Sequence, residues 1–493
     1  MLPYASFFHH AVLKLSGDIG MQRLPRFTWL IVAAFPTLLG AQGFNVFEQN
    51  TCTMGRAGTA AGAPCADGSA IFFNPAGLAG SKGGQASAGV TLIKVVGGFT
   101  DDLFQQKTDI NDPLIPVPQA YVSYGVTPKL GVGIGLFAPY GLETKWPLSF
   151  DGRFAGYDNV IRTFYVQPTA AYKVTPWLSL GAGLDIVHGS VQLHQHLDLS
   201  QTPLPPGIPG VPAGTTFGQF GIPVGTDFAD ADLEASKTNV TAHFGALAKV
   251  NDRLSIGAHY LMKVTLNYSG TATFTQVNTG IIIPATITVG PLTIPAGTPL
   301  DLFLSAAPPG GLGVFSSGGL LGAQTATASI ANPDMFVGGV AYKAAKDLTL
   351  LADYQWTHWS SFNVLNLTFS PNTLLTRTLN ESYKDTHGIR VGAEWVQSGA
   401  LTVRGGYLHH GGAAPPQTVT PLLPEGQRNE FTVGGTLKLA PHVTGDVAYQ
   451  YIRQNDRRGR TREPGTGVDP LTLNNGLYTF GAHLFGVSLA FTF

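Results

Sequence analysis

Two cysteines, two histidine pairs and a few charges on otherwise apolar segments are the groups in this chain with chemistry to offer. Cys52 and Cys65 are its only cysteines. In an oxidising compartment they could close a small loop, stabilising the chain by roughly 3 kcal/mol through loop entropy. Two buried thiols are the alternative; with no histidine in that segment, neither reads as a nucleophile. His194-Gln195-His196 and His409-His410 invite a metal reading, because alternate residues share a strand face. No third ligand lies beside either pair, so girdle or rim histidines fit better, and no metal or other cofactor is expected. A GxSxG nucleophile elbow is absent, which argues against a lipid-processing hydrolase. Gly131-Val132-Gly133-Ile134-Gly135 mimics a nucleotide loop, but no helix follows it.

The elements that must carry these groups follow from composition and period. The 493 residues would allow two to four soluble domains or one large barrel. Only 12% of them are charged, while 62 are glycine; about 25% charged is usual. The longest apolar run, Phe27–Leu39, is interrupted by Pro36 and falls short of the ~20 residues of a spanning helix. Low charge without spanning helices leaves a closed β-barrel, the other structure that satisfies its backbone in lipid. A net charge of −1 and no basic stripe exclude a nucleic-acid partner.

Met21-Gln22-Arg23-Leu24-Pro25-Arg26, then Phe27–Leu39 and Gly40-Ala41, have the layout of a bacterial secretory signal. Residues 1–41 are therefore assigned to the signal region, with Met21 as an alternative start. Residues 42–84 have no clear period, yet are too apolar and glycine-rich for a solvated tail. They read as a plug held inside the container that residues 85–493 build.

That container repeats one device: a short turn, then alternating apolar and small or polar residues, then aromatics. Residues 127–140, 175–188, 251–264, 345–356, 399–410 and 440–451 are copies. Leu178, Leu180, Ala182, Leu184 and Ile186 share one face; Ser179, Gly181, Gly183 and Asp185 share the other. Short links alternate with long ones, giving about fourteen antiparallel strands with both ends on the short-turn side. The fold class is thus all-β, a transmembrane barrel of about fourteen strands with an N-terminal plug in its lumen. Every odd residue from Phe485 to the terminal Phe493 is apolar, like the terminal signal read by outer-membrane assembly machinery. A bacterial outer-membrane location and a monomer are expected.

The long loops 198–235 and 274–322 are not those of a polar porin. Asp301 is the sole charge between Lys263 and Asp334. Ile281, Ile282, Phe303 and Leu304 stand in a stretch where Pro284, Pro291, Pro295 and Pro299 argue against a helix. A greasy groove for a hydrophobic ligand is one reading; packing of the two loops on each other, or oligomer contacts, is the other.

Alternation also assigns the charges. Ile389, Val391, Ala393 and Trp395 fall on the lipid set, so Lys384, Arg390 and Glu394 are predicted to face the lumen. The same parity turns Lys263, Asp353, Arg404 and Asp446 inward. A carboxylate entering an apolar pocket needs a cation, and Lys384, then Arg404 and Lys263, are the candidates. Pairing of these cations with Glu394, Asp353 or Asp446 is the competing reading.

The chain resembles the long-chain fatty-acid outer-membrane transporter (FadL) family. The likeness is carried by Gly43-Phe44 with Glu48, Gly55-Arg56-Ala57, Ala66-Asp67-Gly68 and Asn74-Pro75-Ala76 in the plug, the family's hatch. Tyr140-Gly141-Leu142-Glu143-Thr144, Trp356-Thr357-His358-Trp359-Ser360 and Tyr383-Lys384-Asp385 add to it, and it covers nearly all of 42–493. The family includes transporters of long-chain fatty acids and of aromatic hydrocarbons. The resemblance implies passive uptake: capture between the two apolar loops, transfer past a shifting hatch, and sideways exit at a distorted third strand. Asn74, Pro75, Ala76, Gly55 and Arg56 would then serve anchoring and gating. Gly131, Gly133, Gly135 and Pro139 would weaken the third strand; close packing of the plug on those glycines is equally open. Where the family carries an inward basic residue this chain has Ser190, a departure that favours an uncharged ligand.

Overall fold

Strands of up to 21 residues, alternating apolar with small or polar side chains, close on themselves in a computed structural model. It describes residues 43–111, 114–204, 212–220, 222–289, 292–307, 310–465 and 467–493. The expected signal region lies outside the described residues. Fourteen antiparallel wall strands make the barrel. They are β1 (Gly84–Asp101), β2 (Ile115–Gly125), β3 (Leu130–Phe137, resuming at Gly141–Lys145), β4 (Asp158–Lys173) and β5 (Leu178–Leu197). There follow β6 (Ala229–Lys249), β7 (Leu254–Leu261 and Val264–Gln276), β8 (Gln324–Asn332 and Met335–Lys343), and β9 (Leu348–Thr357 and Val364–Ser370). The last five are β10 (Arg377–Asn380 and Thr386–Val396), β11 (Leu401–His410), β12 (Arg428–Ala440), β13 (Val443–Gln454) and β14 (Gly476–Thr492). Each pairs with its neighbours in order, and β1 meets β14 from Gln85↔Thr492 to Asp101↔Gly476, which closes the sheet on itself.

The wall is apolar outward. On β5, Leu180, Leu184 and Ile186 are exposed while Gly183, Asp185 and Val187 are buried. In lipid that exposed face is the favoured one. Tyr124, Tyr172, Trp177, Tyr342 and Trp395 are exposed near the short turns, the position of an interfacial aromatic girdle.

Residues 43–82 touch every one of the fourteen strands. Hydrogen bonds reach Ser87, Tyr121, Gln167, Ala246, Ser255, Asp353, Glu394, Thr432 and Gln450. Close approach of backbone or side chains adds Gly131, Gly181, Ala341, Gly406 and Gly486 on the remaining five. A segment in contact with a whole closed ring lies within it. Short helices Thr51–Met54 (α1) and Ala70–Phe73 (α2) shape this hatch, and Phe47, Phe72 and Phe73 pack edge-on at centroid separations of 4.8–5.5 Å. Cys52 and Cys65 are joined by a disulfide.

The outer loops form a second apolar cluster. Leu199, Phe217 and Phe228 of the first loop bury against Ile283, Leu300, Phe303 and Leu304 of the second. One expectation fails here: Leu300–Ser305 is an α-helix (α3). All four prolines precede it, and Pro299 stands at its N-cap, where a missing N–H costs nothing.

Candidate functional site

The site is a break in the wall between β2 and β3. These strands pair only from Ala120↔Leu136 to Gly125↔Gly131, so Ile115–Gln119 face a stretch with no β3 partner. Beyond Phe137 the third strand leaves the ladder for three residues and rejoins β4 at Gly141↔Arg162. Pro139 has no N–H to give a neighbouring strand. The orphaned groups bond to the hatch instead. Val46 N–H donates to the Pro139 carbonyl at 2.8 Å and Gly141 N–H to that of Phe44 at 2.9 Å. Gln49 bonds both backbone groups of one residue: its Oε1 accepts from Ala138 N–H at 2.7 Å and its Nε2 donates to Ala138 O at 2.9 Å. The hatch thus stands in for β2 along this stretch.

A cavity of about 220 Å³ opens at the break, lined by Phe44, Val46, Ile93, Pro116, Pro118, Ala138, Tyr140, Leu142, Ile161 and Phe480 among others. Its charged members are partnered. Arg162 pairs with Glu143 at 2.9 Å, Gln450 donates to Glu48 at 2.8 Å, and Arg428 donates to the Gly43 carbonyl. Glu425 accepts N–H bonds from Gly43, Ala413 and Ala414. Such a cavity suits an apolar molecule.

Four wall interruptions converge on the head of the hatch. Tyr140 from β3 and Trp359 and Phe362 from the gap in β9 pack on Phe44, with Trp359 4.8 Å away ring to ring, and Tyr383 from the gap in β10 packs on Trp359 and Phe362. The Tyr140 hydroxyl donates to the carbonyl of Pro333, in the gap of β8, at 2.7 Å. Gly43 lies against the Trp359 indole so closely that a Cβ would stand 2.6 Å from it. Asn45, Gln49, Tyr140 and Trp359 were not singled out as site residues from sequence. Tyr140 and Trp359 did stand in the family-like motifs, and that was the available signal.

At the other end of the hatch, Asn74 caps the 3-10 turn Pro75–Leu78, its side chain accepting from Ala76 N–H. Its amide donates to the carbonyls of Ala61 at 2.7 Å and Ala246 at 3.0 Å, so Asn74, Pro75 and Ala76 tie hatch to wall. Gly55 abuts Gly434, and Arg56 bonds Glu394 at 3.3 Å and the Ala63 carbonyl at 2.6 Å. Burial pulls the Arg56 guanidinium below its ordinary pKa, with Glu394 opposing.

The inward cations are engaged. Arg404 is buried and binds Glu394 at 2.7 Å, with Asp446 at 3.6 Å. Arg390 covers the Phe47 ring at 3.5 Å and donates to Gln355. Asp353 accepts from the N–H groups of Ala60 and Ala61 at 2.8 and 3.0 Å. Two expectations need correction. Lys263 is exposed rather than lumenal, because the interruption at 262–263 resets the alternation between Leu261 and Val264, both buried. Lys384 is also exposed, on the irregular stretch before Thr386, where strand parity does not apply.

Gly131, Gly133 and Gly135 sit in regular ladders with both neighbours, where Leu78 and Ile71 of the hatch press on the wall. Of that group, only Pro139 is at the break. Among the loop residues, Phe303 and Leu304 are core, Ile281 is packed against it, and Ile282 is exposed.

A closed apolar-faced barrel, in contact all round with its own N-terminal segment and broken beside it, defines a β-barrel protein of the outer membrane. The family described as outer membrane protein transport protein (OMPP1/FadL/TodX) matches residues 32–493, and the chain belongs to it. The chain is 22% identical to the long-chain fatty acid transport protein of Escherichia coli K12, covering 94% of this chain and 97% of that one. It is 23% identical to outer membrane protein P1 of Haemophilus influenzae, over 92% and 95%. Its fold matches a Pseudomonas aeruginosa FadL homologue with a TM-score of 0.71 at 21% identity, over 92% of this chain and 100% of that chain. The chain is an outer-membrane transporter of this family for hydrophobic compounds.

Proposed function

We propose that this protein takes up hydrophobic molecules passively, catching them at the apolar outer loops, passing them beside the hatch and releasing them sideways between β2 and β3. The observation that carries the proposal is the break at 138–140, where hatch residues replace a wall strand and an apolar cavity opens. Withdrawal of Asn45–Gln49 from the Pro139 edge would expose that cavity to the bilayer without breaking any wall pairing. No energy source is needed, because the ligand moves from one apolar environment to another.

The cargo class follows from charge. With Arg56, Arg390 and Arg404 engaged inside, an uncharged molecule such as an aromatic hydrocarbon is favoured over a fatty carboxylate. Lys384→Ala tests for a carboxylate clamp: selective loss of acid uptake would mark one despite the exposed position of Lys384, and equal effects on the two uptakes would argue against it. The primary experiment measures uptake of radiolabelled oleate and toluene in cells with and without the protein, and with Pro139 deleted so that the ladder closes. Background uptake by the deletion variant, still folded by heat-modifiable migration, is expected. Unchanged uptake would overturn the sideways route, and no uptake by the wild type would overturn transport of these probes.

A further inference from the structure

The short-turn end of the lumen holds a second cavity of about 550 Å³. Gly80, in the last stretch of the hatch, and Leu247 of the wall line it, with Trp177 at its rim. It also gathers three cations from three parts of the chain: Lys82 of the link between hatch and β1, Lys173 at the end of β4 and Lys249 at the end of β6.

Two of these lysines belong to the inner face. Lys173 has the parity of Tyr165, Gln167 and Ala171, and Lys249 that of Thr241 and His243, all buried. The Lys173 stem lies over Gly80, its Cδ 3.9 Å from where a Cβ would be. Their backbones are fixed: Lys173 N–H donates to Lys129 O and Lys249 N–H to Trp177 O, both at 2.8 Å. Among the described residues, no ion pair or side-chain hydrogen bond engages the ammonium groups of Lys82, Lys173 or Lys249. The lumenal arginines farther inside are engaged by carboxylates or by a ring. A concave site that collects one sign of charge concentrates counter-ions, and lysine ammonium groups serve carboxylate and phosphate oxygens as point charges.

We propose that this cavity is an oxyanion site open to the periplasm, taking a carboxylate or phosphate group. A bound anion bridges Lys82 of the link to Lys173 and Lys249 of the wall, and so ties the exit of the hatch to the barrel. The inference is independent of the cargo and route of the channel. The same chemistry could come from a small free anion or from the head group of an amphiphile, and the test separates them.

Full-length protein in non-ionic detergent is dialysed against radiolabelled inorganic phosphate and, separately, radiolabelled decanoate. It is compared with K82Q/K173Q/K249Q and with a control, K343Q/K438Q, altered at the ends of other strands. Heat-modifiable migration verifies that each variant is folded. Saturable binding of at least one probe by wild type and control, weakened at least about tenfold in the triple variant, is expected. Phosphate binding identifies a free anion, and decanoate binding alone an amphiphile head group. Decanoate held elsewhere in the pore survives the triple substitution, so only the lysine-dependent fraction counts. Equal binding by wild type and triple variant, or no binding of either probe at millimolar concentration, overturns the proposal.

Discussion

The backbone N–H of Val46 donates to the carbonyl of Pro139 at 2.8 Å, a hatch residue completing a wall strand where a proline has broken the ladder. The N-terminal segment and the wall therefore share backbone hydrogen bonds at this point.

Gln49 holds both the N–H and the carbonyl of Ala138. Gln49→Ala should cost about 1–3 kcal/mol locally, since buried peptide groups lose their partners. Faster hydrogen exchange confined to 44–49 and 138–141 is expected; unchanged exchange there would remove Gln49 as the latch.

Gly257 admits the hatch backbone. A Cβ there would stand 2.6 Å from the Ala61 carbonyl carbon and 2.7 Å from the Asn74 amide nitrogen. Gly257→Val should unseat the hatch while leaving the barrel closed. Trypsin cleavage at Arg56, normally buried, together with normal heat-modifiable migration, would register this.

Glu394 serves two buried arginines, Arg56 and Arg404. Glu394→Ala takes the shared carboxylate from both, leaving Arg56 the Ala63 carbonyl and Arg404 the longer Asp446 contact, and should destabilise the protein by about 3 kcal/mol. Adding Arg56→Met should recover part of that loss, a coupling readable from denaturant titrations of the four variants.

The Cys52–Cys65 bridge closes a loop within the hatch, with a sequence separation of 13. Replacing both by alanine should remove roughly 3 kcal/mol of local stability. Exchange protection should fall in 50–67, with the strand signal in circular dichroism unchanged.

In the outer loops, burial raises the tendency of Asp227 to protonate, but bonds from Arg153 and His196 outweigh it and hold its pKa below the ordinary value. A depressed carboxylate contributes stability above its unfolded pKa, about 4, and loses it as pH falls through the lower folded value. Protease sensitivity of 198–204 and 222–228 should thus rise below about pH 4, and Asp227→Asn should show that sensitivity already at neutral pH.

The sequence alone determined the barrel and its strand rhythm. Period-two alternation, scarce charge and the contrast of short and long links are local signals, and lipid forces their interpretation, because only a closed sheet satisfies its backbone there. Arg390, Arg404, Asp353 and Asp446 were legible as inward residues for the same reason. Tertiary structure alone decided where the alternation breaks. Parity carried through 262–263 and 381–385 misplaced Lys263 and Lys384, since a strand interruption resets which face a residue takes. Nothing local in Ala138-Pro139-Tyr140 announces that Val46 and Gln49, some ninety residues earlier, complete its hydrogen bonds. Partners brought together by closure of the ring have no signature in the spacing of either segment.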